Sequence, residues 1–271
     1  MKQSTGVVLS GGGIRCVAHI GLLKALEQNN IFPTHIAGTG TGAVVGALYS
    51  AGYNPDEILE FFRNNSSVFQ WSKMTIKKPG ILDTDKYQSI LFPYLGYITF
   101  DQLSKQLFIT ATNVLEGSAH LFEKGEVIKP VLASSALPPV FSPVEIDDKL
   151  YMDGSVMNNF PVEPLLARCN KVIGSFVTSV RPIEKSDVSN PIKLLHRAND
   201  LRHIAQAKDK FSLCDYVIEP KSLYKYGNFN ANKIEEIYQI GYLTALAKMD
   251  KIIDSLSLLN TASVNKKVRY Q

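Results

Sequence analysis

The 271-residue sequence is short of everything that marks a secreted, fibrous or membrane-spanning chain. Its three cysteines, Cys16, Cys169 and Cys214, are too few and too scattered for a disulfide framework, and their spacing matches no zinc site. No run approaches the roughly 18 consecutive apolar residues of a spanning helix. The opening MKQSTGVVLS lacks the apolar centre of a secretory leader. There is no internal repeat, and no low-complexity run longer than the Asn/Ser cluster at 64–67. A net charge of +4 is too small to call for nucleic acid, although it is compatible with an anionic lipid surface. These absences make a reducing cytoplasm the expected setting, with peripheral membrane association left open. No cofactor is called for.

What is present is a 45% hydrophobic composition, sufficient to bury one substantial core, and an alternation of strand and helix signals. Strands are expected at Val7–Leu9, His35–Ala37, Leu107–Asn113, Lys149–Met152, Val172–Thr178 and Asp215–Ile218, with helical segments between them. That order predicts an α/β fold of three layers, with a mainly parallel central sheet and helices on both faces.

Three segments carry chemistry. In STGVVLSGGGIRCVAHIGLLKALEQNN an apolar strand runs through Gly11, Gly12 and Gly13 into a helix whose Leu22, Leu23 and Leu26 share a face. Consecutive glycines leave amide N–H groups uncovered at a helix start, which makes either an anion cradle or merely a tight turn. In THIAGTGTGAVVGALYSAG a short strand meets a small-residue helix at about Ala43–Ser50, the layout of a nucleophile elbow with Gly40 at its apex. An elbow strains any apex residue that carries a β-carbon, so Gly40 suits the turn but offers no attacking oxygen. In KLYMDGSVMNNFPVEPL, Asp153 ends a strand, where it is a general base if it faces the elbow and otherwise a turn cap.

Together these segments resemble the patatin-like phospholipases, whose pattern is GGGxRG, then GxSxG, then ASxAxPxxFxPV, then DGG or DGA. The corresponding runs here are GGGIRC (Gly11–Cys16), GTGTG (Gly38–Gly42), ASSALPPVFSPV (Ala133–Val144) and DGS (Asp153–Ser155). The stretch Cys214–Tyr242 also looks like the ending of small bacterial members. The resemblance covers nearly the whole chain. It implies a single patatin-like domain over 1–271, with the motifs in about 5–166 and a strand and helix in about 167–260 completing it.

The resemblance also implies a Ser-Asp dyad that hydrolyses lipid acyl esters without histidine. Position 40 is then the nucleophile position, Asp153 the base, and Gly11, Gly12, Gly13 and the Thr41 amide the oxyanion donors. Arg15 matches the family's arginine, as a support for the glycine loop, a contact to an anionic head group, or a partner of a carboxylate. The chain departs from the pattern at Gly40, Cys16 and Ser155. Without a serine at 40 it is expected to be inactive or severely impaired, the alternative being a protein that binds lipid or acyl chains.

Other readings follow from the residues alone. Cys16 near a helix start is a second nucleophile candidate or a small buried residue. Gly38-x-Gly40-x-x-Ala43 formally matches a dinucleotide fingerprint, but YNPDEILEFFRNN reads as a capped helix where the fingerprint needs a second strand. The five histidines show no metal or triad spacing and are expected at the surface or in packing. Phe61–Gly80 mixes Phe, Trp71 and lysines, as an interfacial lid or as ordinary packing. Ile234, Ile237, Tyr238, Gly241 and Ala245 predict a helix docked on the core. The tail SVNKKVRYQ reads as a frayed polar end.

Overall fold

The computed structural model describes residues 4–66, 84–227 and 230–257. Its strands are β1 (Thr5–Leu9), β2 (His35–Thr39), β3 (Gln106–Asn113), β4 (Ser118–Phe122), β5 (Val144–Ile146), β6 (Lys149–Met152), β7 (Lys171–Ser175) and β8 (Tyr216–Ile218). Its helices are α1 (Val17–Gln28), α2 (Thr41–Ser50), α3 (Pro55–Asn64), α4 (Thr84–Leu95), α5 (Ile128–Ser135), α6 (Glu163–Leu166), α7 (Pro191–Ala207), α8 (Ile234–Leu246) and α9 (Met249–Ser257). The strands pair in the order β5-β6-β3-β2-β1-β7-β8, with β4 also on β3. The pairs from β3 through β2, β1 and β7 to β8 are parallel, whereas β4, β5 and β6 pair antiparallel.

Successive strand residues serve opposite faces, as the two-residue period requires. Val7, Leu9, Ile36, Leu107, Ile109 and Ile173 join the larger core with α1, α2, α3, α5 and α8. Val8, Ala37, Phe108 and Val172, each one residue out of step, join Phe160, Leu165, Phe176 and Ala207 on the other side. The central strands are therefore apolar on both faces, and the sheet is mainly parallel with helices on both sides.

Local chemistry explains the best-defined elements. The Asn54 side chain accepts from the Asp56 and Glu57 amides, and the Glu57 carboxylate accepts from the Asn54 amide, a capping box with Pro55 in the first turn of α3. The buried residues of α8 are Ile234, Ile237, Tyr238, Gly241 and Ala245, the face its spacing predicts. That face meets α1, where a β-carbon on Gly241 would collide with the Ala18 backbone. Of the Phe61–Gly80 segment, residues 67–80, with Trp71 and the lysines, lie outside the described residues, as does the tail from 258.

The register of β3 decides where the site forms. Thr110 pairs with Thr39 of β2 on one side and Leu121 of β4 on the other. Thr112 pairs with Met152 of β6 and Ala119 of β4. Hence β2 and β6 share the edge of β3 opposite β4, running towards each other. The residues just past their ends, Gly40 and Asp153, meet there.

Candidate active site

The chain passes from β2 into α2 through Gly40, which has φ 57° and ψ −138°. This lies in the left-handed region that favours glycine, at the turn the sequence marks. A β-carbon built on Gly40 falls 3.4 Å from Asp153 Oδ1 and 3.4 Å from Gly11 Cα, ordinary contact distances. The obstacle to a small side chain here is thus backbone strain, not lack of space. The Gly40 amide donates to Ser134 Oγ (3.0 Å), whose hydroxyl donates to Thr110 O (2.7 Å).

Asp153 is aimed by β5 and β6, whose connecting residues Asp147 and Asp148 both take positive φ, 49° and 59°. Aspartate tolerates this better than most residues, and it suits a two-residue hairpin. Thr112 Oγ1 donates to Asp153 O (2.8 Å), and Asp153 N donates to Ala136 O (3.0 Å), so the backbone is held on two sides. Gly154 then packs so closely on β3 that a β-carbon would collide with Thr110 O. The carboxylate accepts from Ser155 N at 2.8 Å, the turn-cap bond, and still abuts the elbow. Burial raises the Asp153 carboxyl to about 6, against the lowering effects of the Ser155 bonds and the Arg202 charge.

The glycine loop is braced from behind. His19 Nε2 lies 2.9 Å from Ser10 O, which can only accept, so that nitrogen carries the proton and Nδ1 accepts from Ser175 Oγ at 2.7 Å. Burial pushes His19 down to about 4, which keeps this ring neutral. Ser10 Oγ in turn accepts from Val177 N (3.1 Å), fixing the last residue before Gly11. Arg15, 2% exposed, donates through Nε to Gly12 O (3.3 Å) and through Nη2 to Asp200 Oδ1 of α7 (2.9 Å). It both supports the loop and pairs with a carboxylate. Cys16 is fully buried with Sγ donating to Ser10 O, and burial pushes its thiol up, which removes it as a nucleophile.

A cavity of about 40 Å³ opens where these parts meet, lined by Gly12, Gly13, Thr41, Tyr87, Asp153 and His203 among others. Gly11 does not border it, but lies between the elbow and the buried amide of Asn159. Two contributors escape a reading of the sequence. Ser134 is a polar residue in the apolar run of α5, a weak signal on its own. His203 is expected in packing or at the surface, yet it lines the cavity from α7 with neither ring nitrogen bonded to any of the described residues.

Other chemistries find little support. The acidic residues after the Gly38–Ala43 turn belong to α3, where Asp56 pairs with Lys24, Glu57 caps the helix and Glu60 pairs with Arg63. Among the described residues no cluster of His, Cys, Asp and Glu is arranged to hold a metal. Among the same residues no helix is long and apolar enough to cross a membrane.

Comparison with known proteins gives the same architecture. An uncharacterised NTE family protein of Mycobacterium tuberculosis is 30% identical over 161 residues, 59% of this chain and 44% of the relative. Lysophospholipase NTE1 of Candida glabrata is 27% identical over 285 aligned residues, 92% of this chain but 16% of the yeast protein. The chain therefore spans less than half the length of these relatives. Among solved structures, VipD from Legionella pneumophila superposes with TM-score 0.54 at 13% identity, over 93% of this chain and 67% of VipD. Human GIVD cytosolic phospholipase A2, solved with methyl gamma-linolenyl fluorophosphonate, superposes with TM-score 0.51 at 11% identity, over 98% of this chain and 60% of that one. The model of the family described as patatin-like phospholipase matches residues 7–166, which hold the glycine loop, the elbow and Asp153, and so the chain belongs to the patatin-like phospholipases.

Proposed function

We propose that this chain is a lipid acyl-ester hydrolase scaffold whose covalent route is closed at Gly40. In this reading position 40 is where a serine would attack the ester carbonyl, Asp153 would take the serine proton, and amides of Gly11, Gly12, Gly13 and Thr41 would hold the oxyanion. Arg15 supports the loop through Gly12 O and ties it to α7. The observation that carries the reading is the position of a β-carbon on Gly40, 3.4 Å from Asp153 Oδ1, at a φ of 57°. A hydroxyl on that carbon would be within reach of a carboxylate whose raised pKa suits proton transfer near neutrality.

Loss of the nucleophile in a serine hydrolase costs on the order of 10⁶ in turnover. The expected substrate class is a lipid ester, met at a membrane or lipid surface. Because Gly40 leaves the loop and cavity in place, a second reading is retention of lipid or acyl-chain binding without turnover.

The test compares hydrolysis of a short-chain chromogenic ester and a phospholipid by the chain as written, Gly40→Ser and Gly40→Ser/Asp153→Ala. Serine should raise turnover by several orders of magnitude, and the Asp153 change should remove the gain. If serine gives no gain although the variant folds, the assignment of position 40 is wrong.

A further inference from the structure

His203 borders the cavity, and the proposed dyad leaves it unused. It is 6% exposed, and neither Nδ1 nor Nε2 has a partner among the described residues. Buried polar atoms are seldom left so, and a pair of empty nitrogens facing a cavity calls for an occupant that can satisfy them. The placement is built in, not incidental. Asp200 lies one helical turn earlier on α7 and grips the Arg15 guanidinium with both carboxylate oxygens, at 2.9 and 3.4 Å, which fastens α7 to the glycine loop. His203 is thereby carried to the cavity that Asp153 also borders.

The occupant must suit both groups. Burial and the Arg202 and Arg15 charges push His203 down to about 4, against the opposing charge of Asp200, so the ring is neutral at neutral pH and presents one donor and one acceptor. Asp153, ionised above about 6, only accepts. Tyr87, whose phenol burial pushes up, stays protonated across the cavity. Water can serve carboxylate and imidazole together. At 10–15 Å³ each, a cavity of 40 Å³ takes about three waters. The missing side chain at Gly40 leaves space beside Asp153 where a serine would stand.

We propose that Asp153 and His203 hold a water in this cavity and that the chain uses it to hydrolyse acyl esters directly, with no acyl-enzyme. The water gives one hydrogen to the Asp153 carboxylate and the other to the unprotonated nitrogen of His203, leaving a lone pair for the carbonyl carbon. As the C–O bond forms, Asp153 takes the proton and the carbonyl π pair moves to its oxygen, held by the loop amides. Collapse reforms the carbonyl and breaks the ester C–O bond, and the departing alkoxide recovers the proton from Asp153. Ester and water give acid and alcohol, and nothing else is consumed.

The inference rests on the proposed roles of Asp153 and the glycine loop, so its test separates the two. Hydrolysis of a short-chain chromogenic ester is measured for the chain as written, Asp153→Asn, His203→Phe, Gly40→Ser and Gly40→Ser/His203→Phe. Covalent labelling by a fluorophosphonate is followed for each. The chain as written should turn over slowly, without a burst or label, at a rate that rises with pH through about 6 as Asp153 ionises. Asp153→Asn should lower that rate by about 10²-fold or more, and His203→Phe by about tenfold or more. Labelling of Gly40→Ser/His203→Phe would show that the histidine change leaves the site folded.

If Gly40→Ser labels and turns over while the chain as written shows nothing above Asp153→Asn, the water route is absent and the reading of the dyad stands. Turnover by the chain as written that is indifferent to His203→Phe overturns the role of His203. If neither the chain as written nor Gly40→Ser reacts, both readings fall.

Discussion

Gly40 holds a backbone conformation that L-residues adopt only at a cost, and it holds it where a β-carbon has room. Replacing it separates the two effects. Gly40→Ala and Gly40→Ser should each destabilise the fold by about 1–3 kcal/mol in denaturant titrations, through strain and not collision. Asp153 is costly in the opposite sense. Its carboxyl is raised to about 6, so the folded chain binds this proton more tightly than the unfolded chain does. The destabilisation is absent below the unfolded pKa, grows as pH rises, and is complete above about 6. Asp153→Asn keeps an oxygen for Ser155 N and should stabilise the protein by roughly 3 kcal/mol at pH 8, a gain that shrinks towards zero near pH 4. Thermal melts at both pH values check this, and an unchanged or lower melting temperature at pH 8 would contradict it.

Among the elements, those legible in the sequence are the ones written locally. The glycine turns, the capping box around Asn54 and Glu57, and the period of α8 need no distant partner to be recognised. Strands β4 and β5 are not legible, because edge strands of five and three residues whose positions are half-buried or exposed leave only a faint alternation. Helix α7 is also hard to see, since Leu194, Leu195 and Leu201 are exposed and blur its apolar face. The contributions of Ser134 and His203 exist only once α5 and α7 converge on the loop, so no spacing announces them. Where α8 crosses α1, the absence of a side chain at Gly241 sets the approach. Alanine normally stabilises a helix by up to about 1 kcal/mol relative to glycine. Gly241→Ala should reverse that sign and cost about 1–3 kcal/mol, measured by chemical denaturation, because the Ala18 backbone cannot yield.

For the molecule as a whole, two buried histidines work against stability in acid. His19 and His203 are both lowered to about 4 from an ordinary 6.5. Below pH 6.5 the unfolded chain therefore takes up protons that the folded chain refuses. The stability they confer is full above that pH and is lost as pH falls towards 4. At pH 5 each of these two costs roughly 2 kcal/mol, and relief at Asp153 returns about 1 kcal/mol of it. The melting temperature should fall between pH 7.5 and 5, and His203→Phe should flatten that fall. A profile unchanged by the substitution would mean that His203 takes up protons while folded.

One consequence of the pairing around β3 concerns how this scaffold can vary. Gly40 and Asp153 follow two strands that abut on one edge of β3, anchored at Thr110 and Thr112. A slip of one residue along β3 would turn its side chains to the opposite face, so the gap between elbow and carboxylate cannot drift smoothly. It is quantised in steps of two residues, each nearly 7 Å, far larger than any proton transfer can span. The reacting geometry can be kept or abolished by the sheet but not graded by it, and any fine adjustment falls to what α7 places above the cavity.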